Sequence, residues 1–307
     1  DGTVTDNVGI LIASALSFDM VQKIGSKYVI GYIPGDSKCY FKTVDAITHI
    51  ASSTYTINNA VTSYVSMGSG HSLSQVAFMY RDNTSSLGYA TVMNISSGAV
   101  IVAPVEIGNG ADIKENAITE TNDKDGNPSY MLFYREASSD WLKFVMYEFD
   151  FTAIVFPHDT LIQTDVPIEI KTAVFIDGQT FVKWKDYNVG ADSPIKAAYI
   201  NSEGFELVPP FEVYSAGDPN TRTDDFIQQR DFKIQFAIKN RTTGYVYFKV
   251  YQETGTVVEE SDNSPFLRPF NSPVAQVFMA LPDVGSNMLV STINSAGINQ
   301  GHVIELE

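Results

Sequence analysis

The sequence predicts an all-β fold built from about six copies of a four-stranded antiparallel unit, each about 50 residues long. Three observations lead there. The composition favours strands, because 19 Phe and 16 Tyr stand among abundant Val, Ile and Thr while charged residues make up only 18%. A strand-end pattern of aromatic, basic, then acid or amide residues recurs along the chain. Each copy is followed by a polar turn and a further apolar, β-branched segment.

The copies of the pattern lie at residues 76–82, 131–136, 181–186 and 235–240, the last with Ile238 in the aromatic place. A weaker copy ends at Tyr32. With Tyr32, Tyr80, Tyr134, Trp184 and Ile238 as anchors, the spacings are 48, 54, 50 and 54. The strand after each anchor is expected at residues 39–44, 88–93, 142–147, 195–200 and 245–251. Turns rich in Asn, Ser and Gly, at residues 94–98 and 201–204, then lead to a third strand. A strand before each anchor completes the unit, at residues 8–16, 60–65, 116–120, 172–176 and 226–228. The sixth unit reads in two registers. In one, residues 276–283 match residues 75–82 and residues 302–306 form the outer strand. In the other, residues 273–280 form the first strand and residues 2–5 complete the last unit.

A single meander sheet has two faces and two bare edges, so it cannot bury itself. Stacking such sheets face to face around an axis buries both faces and leaves only short, protected edges. The expected architecture is therefore a six-bladed β-propeller of four-stranded antiparallel blades, with residues 1–307 as one domain. The alternative is a pair of β-sandwich domains, which would not require the spacing to hold across all units.

On these features the chain resembles β-propeller repeat proteins, and in particular the degenerate four-strand repeats of large secreted and cell-surface proteins. The resemblance spans nearly the whole chain and rests on loose motifs. Trp-Asp strand ends, Tyr-Trp-Thr-Asp units and Ser-x-Asp-x-Gly-x-Thr-Trp boxes are absent, so it implies an architecture and no particular family.

The formal net charge is −16, which repels phosphate backbones and disfavours nucleic acid as a partner. No run of eighteen apolar residues occurs, so no transmembrane segment is expected. Residues 8–16 lack a basic flank and read as a buried strand, not a signal peptide. The chain begins at Asp1 without Met, which is expected of a processed form or a piece of a longer protein. The lone Cys39 excludes an intrachain disulfide and is expected to be a buried structural thiol.

Several residues are candidates for chemistry. Asp123 and Asp125 cluster carboxylates that suit Ca²⁺, although the same Asp-Gly sequence is a hairpin turn. No other cofactor is expected. Asn7, Asn59, Asn116 and Asp225 open the first strands and would ring one mouth of a central channel, where a ligand could bind, or else cap turns. Asn83, Asn94 and Asn240 head glycosylation sequons at expected turns. His49, His71, His158 and His302 show no metal-ligand spacing, and His71 reads as part of a Gly-rich loop. Asp224-Asp225 and Glu259-Glu260 point to opposite faces of a strand, so neither pair is a ready catalytic dyad.

A recurrent fold signal without a recurrent chemical signal favours a non-enzymatic extracellular module, structural or interacting with proteins, that can assemble into a larger structure. Carbohydrate binding is the first alternative, with glycan at the cell surface as partner. A propeller glycoside hydrolase or lyase using carboxylates from different blades is the second.

Overall fold

The computed structural model describes residues 17–45, 47, 48, 50–174, 179–187, 194–203, 206–214, 221–230, 233–240, 246–252, 257–260, 274–280, 287–294 and 299–305. The described residues form antiparallel sheets, and none of them is α-helical. Among the described residues no helix is long and apolar enough to cross a membrane.

The first sheet orders β1 (Ser17–Ile24), β2 (Lys27–Ile33), β3 (Cys39–Asp45) and β4 (Tyr55–Asn58) as a meander. The second runs through β5 (Thr62–Ser69), β6 (Gln75–Asp82), β7 (Leu87–Asn94), β8 (Val100–Asn122), β9 (Pro128–Glu136), β10 (Leu142–Glu148) and β11 (Ile154–Ile162). It holds two meanders that share β8. A third sheet contains β12 (Pro167–Val174), β13 (Thr180–Asp186), β14 (Ile195–Ile200) and β15 (Glu206–Tyr214). A fourth contains β16 (Thr221–Arg230), β17 (Lys233–Asn240), β18 (Val246–Gln252) and β19 (Val257–Glu260). The last has β20 (Val274–Ala280), β21 (Asn287–Asn294) and β22 (Asn299–Glu305). The chain divides into two compact units, Asp1–Glu120 with Asn127–Gln163, and Thr121–Gly126 with Thr164–Glu307.

In the first unit the core obeys the two-residue period of a strand. On β6, Val76, Phe78 and Tyr80 pack with Val29, Phe41 and Ile57 of the first sheet. The alternate residues Ala77 and Met79 pack with Ile118, Tyr130, Leu132 and Val145 on the other side. The middle meander is thus buried on both faces, as stacked sheets require. Full burial of each large apolar side chain contributes about 1.5–3 kcal/mol. Cys39 is buried within the first of these clusters.

The first strand of each meander carries an irregularity that the sequence does not announce. Register shifts interrupt β1 between Phe18 and Met20, β5 between Ser63 and Ser66, β12 between Ile168 and Lys171, β16 between Arg222 and Asp225, and β20 between Val274 and Gln276. At two of these places a non-glycine residue has positive φ, Tyr64 (51°) and Glu169 (53°), and Glu115 in β8 has it as well (45°). Such bulges bend the strand and re-aim its side chains. First strands of successive meanders lie side by side, β5 beside β1 in the first unit, and β16 beside both β12 and β20 in the second.

Three expectations change in detail. The strand paired with the Tyr32 segment is Ser17–Ile24, joined to it by the two-residue turn Gly25-Ser26, and not residues 8–16, which lie outside the described residues. Gly25 has φ 57°, which supplies the positive φ that a type II′ hairpin turn needs at its first central position. In the last meander, β20 takes the first-strand place, because it adjoins β16 and carries the same bulge. That is the second of the two registers, and residues 2–5 lie outside the described residues. The shared strand β8 replaces the break expected between the second and third units. It kinks instead at Gly108, Asn109 and Gly110, all with positive φ, and the Gly110 N–H donates to Glu106 Oε1 at 2.6 Å.

Candidate functional site

The first unit contains a cleft of about 370 Å³ where the ends of β1, β5 and β8 meet. Its walls come from Ile24 at the end of β1 with Gly25 after it, Ser69 at the end of β5 with the turn to Leu73, and Glu120 near the end of β8. The close approach depends on Gly68. A Cβ there would stand 3.1 Å from both the Ile118 carbonyl oxygen and Thr119 Cα. The missing side chain lets β5 run against β8 and places Ser69 beside Glu120. Gly70 has the same role in the turn, since a Cβ on it would meet Gln75 Cβ at 2.3 Å. That turn is held by Gly70 N–H donating to the Gln75 carbonyl at 3.0 Å and Gln75 N–H donating to the Ser72 carbonyl at 3.0 Å.

The rim is aromatic and apolar. The His71 ring lies 5.1 Å from the Phe149 ring, and Phe149 is 43% exposed. Leu73, in the same lining, is 77% exposed. The lining holds one carboxyl that is not satisfied. Glu120 is half-buried, and its carboxyl has no hydrogen-bond or ion-pair partner among the described residues. Burial pushes its pKa from 4.5 up to about 7, so it holds its proton at pH values where other carboxyls have lost theirs. Under the His71 segment the Tyr130 hydroxyl is buried without a hydrogen-bond partner. The His71 backbone N–H approaches it, and the charge of Glu120 adds to burial in raising the phenol's pKa. A cleft of this size, with an apolar rim and an unpartnered lining carboxyl, is a candidate small-molecule site.

The second unit holds a different cluster. The Lys196 ammonium donates to Asp165 Oδ1 at 2.8 Å and to Asp186 Oδ2 at 3.1 Å, and Trp184 Nε1 donates to Asp165 Oδ2 at 2.8 Å. Asp165 and Asp186 are both buried. The Val166 N–H donates to Asp186 Oδ1 at 3.2 Å. Burial pushes Asp165 up, but the Lys196 and Trp184 hydrogen bonds outweigh it and hold the carboxyl below 3.8. These bonds tie the segment before β12 to β13 and β14, which is a structural task.

No protein-family model matches the chain, and no curated protein matches it by sequence. Solved structures do. The chain is similar to a lectin of Aleuria aurantia described as a six-bladed β-propeller with a fucose recognition mode, at 10% identity and TM-score 0.58, over 92% of this chain and 88% of that one. It is similar to Kuenenia stuttgartiensis hydrazine synthase at 12% identity and TM-score 0.56, over 90% and 75% of the two chains. It is also similar to a polysaccharide lyase acting as an ulvan lyase, at 10% identity and TM-score 0.54, over 93% and 78%. The fold is propeller-like. At these identities the likeness concerns fold and not activity.

The propeller-like frame puts the residues singled out from sequence at unlike positions. Asn59 is exposed in the bend before β5. Asn116 lies well inside β8 and is 7% exposed; its Oδ1 accepts from Ser66 Oγ at 2.6 Å and its amide donates to the Tyr64 carbonyl. It thereby braces the bulge of β5. Asp225 lies within β16, which begins at Thr221, and not at a strand opening. Asn7 lies outside the described residues. Asp123 and Asp125 occupy a turn closed by Gly126 N–H donating to the Asp123 carbonyl at 3.0 Å, with Gly126 at φ 82°. Asp123 Oδ1 accepts from Asp125 N–H at 2.9 Å, and Lys124 pairs with the Asp125 carboxylate at 2.9 Å. Among the described residues no three His, Cys, Asp or Glu side chains form a metal-binding group.

Of the sequon asparagines, Asn83 is exposed and its Oδ1 accepts from Ser63 Oγ at 2.7 Å. Asn94 Oδ1 accepts from the Ser96 and Ser97 N–H groups at 2.9 and 3.0 Å, forming an Asx turn. Asn240 ends β17. Sequence reasoning passed over Glu120 and Tyr130 as site residues and took His71 as loop. The one local signal was the Gly68-Ser69-Gly70-His71 run, where small residues permit close backbone approach.

Proposed function

We propose that the chain is a six-bladed propeller acting as a non-enzymatic, extracellular carbohydrate-binding module, with the His71–Glu120 cleft as a sugar site. The observation that carries this reading is the cleft itself: an exposed His71–Phe149 ring pair at its rim, over a carboxyl without a partner inside. Sugar rings offer an apolar face to aromatic side chains and hydroxyls to polar ones, and this lining supplies both. The likeness to a fucose-recognising lectin of the same size class supports it at the level of fold. The sequons at Asn83, Asn94 and Asn240 accord with an extracellular setting.

The test is a glycan array followed by titration of the hits with the wild-type protein and with His71→Ala and Phe149→Ala. Binding that each variant weakens at least tenfold supports the assignment. An array without hits removes it.

A second reading, glycoside hydrolase or lyase, is favoured by one observation. A carboxyl with pKa raised to about 7 suits a general acid. Glu120 is, however, the one carboxylate among the described lining residues, and glycoside hydrolysis ordinarily uses two. Turnover of a polysaccharide that Glu120→Gln abolishes would establish this reading in place of binding.

A further inference from the structure

Resting on the carbohydrate reading above, we infer that the cleft selects neutral sugars through adjacent hydroxyl groups read by Glu120, and excludes uronate and sulfated sugars. The class of ligand follows from what lines the cleft and what does not. Glu120 and His71 are its two titratable residues among those described, and no Lys or Arg is among them. The Lys27 ammonium nearby in sequence is engaged elsewhere, donating to Ser96 Oγ at 2.9 Å. Above its raised pKa of about 7 Glu120 is a carboxylate, and a uronate or sulfate seated here would then meet it with no cation among the lining residues to offset the repulsion, within a chain of net charge −16.

Glu120 has the opposite relation to a hydroxyl pair. A carboxylate has two oxygens that can each accept a hydrogen bond, so two hydroxyls on neighbouring carbons can occupy both. A half-buried acceptor without any partner gains most from such donors, because its lost hydration is otherwise unreplaced. The Ser69 and Ser72 side chains around the same opening are short and neutral, which admits hydroxyl groups without selecting charge.

The experiment is a calorimetric or NMR titration of the whole chain, at about pH 8 where Glu120 is ionised, with methyl glycosides in matched pairs: galactose with galacturonate, glucose with glucuronate, and fucose with its 2-deoxy analogue. The wild type is expected to bind a neutral member at least tenfold tighter than its uronate partner, and to lose about tenfold when one of two adjacent hydroxyls is removed. Glu120→Lys, checked for an unchanged circular dichroism spectrum, is expected to narrow or reverse the neutral-over-uronate preference. Should that variant not fold, Glu120→Gln is expected to relax the preference in the same direction. Equal or tighter binding of uronates by the wild type, or an unchanged preference in the Glu120 variants, overturns the inference while leaving carbohydrate binding intact. Absence of binding to every glycoside, neutral and acidic, overturns both.

Discussion

Trp184 Nε1 donates to Asp165 Oδ2 at 2.8 Å, and the other oxygen of the same carboxylate accepts from Lys196 at 2.8 Å. One buried acid thereby joins an indole and an ammonium that sit on neighbouring strands. Lys196→Met leaves Asp165 and Asp186 buried without their shared cation, and is expected to destabilise by about 3–5 kcal/mol. Urea unfolding of the variant and of Lys196→Met/Asp165→Asn checks it. The double variant should recover part of the loss, because the uncompensated charge is what costs.

The same acid sets a pH limit. Asp165 in the folded chain lies below 3.8, so the stability it contributes is present above 3.8 and is lost as pH falls through its lowered value. Asp165→Asn is expected to flatten the acid limb of a thermal-stability profile below that pH, and to lower the plateau above it. A parallel profile would contradict the assignment.

Glu120 has the opposite sign. Its folded pKa is raised from 4.5 to about 7, so the unfolded chain ionises first and stability declines between those values as pH rises. Glu120→Gln removes that penalty. Its effect should be negligible near pH 4 and stabilising by about 1–2 kcal/mol near pH 8, after allowance for partial exposure to solvent. Melting curves across this range, repeated in a His71→Gln background, separate Glu120 from the other titratable group of the cleft.

Asn116 braces the bulge of β5 through Ser66 and the Tyr64 carbonyl. Asn116→Leu removes both contacts and leaves the buried Ser66 hydroxyl without this partner. A cost of about 1–3 kcal/mol is expected in denaturant unfolding. Asn116→Asp, which keeps an acceptor for Ser66 and repels the Tyr64 carbonyl, should cost at least as much.

Gly70→Ala tests the loop that carries His71. The added methyl would fall 2.3 Å from Gln75 Cβ, so the turn must shift. Sugar affinity is expected to drop more than tenfold, with a smaller change in melting temperature than Asn116→Leu produces. A titration beside a melting curve decides it.

The repeat was legible because each anchor strand must bury both faces. That demand puts aromatic and aliphatic residues at consecutive positions, as on β6 and β9, and closes the strand with charge where it meets solvent. The first strand was misplaced onto residues 8–16 because a continuous apolar run outweighed the Gly25-Ser26 turn, which fixes the pairing of Ile24 with Lys27. The bulges at Tyr64 and Glu169 and the positive φ of Glu115 left no trace in composition. Positive φ at such residues is imposed by tertiary contacts, as Asn116 imposes it on Tyr64, and not by local preference. The cleft was hidden for a related reason. Ile24, His71 and Glu120 are far apart in sequence, and only the side-by-side placement of first strands brings them together.

β8 gives two successive meanders a common backbone over its 23 residues. Where other neighbours are linked by a turn, as at Asn59 to Val61, this pair has no hinge at which one could peel from the other. A protease finds no slack linker between them, and a pulling force on either is borne by both. The pair should open to solvent deuterium as a single block, the least separable part of the first unit.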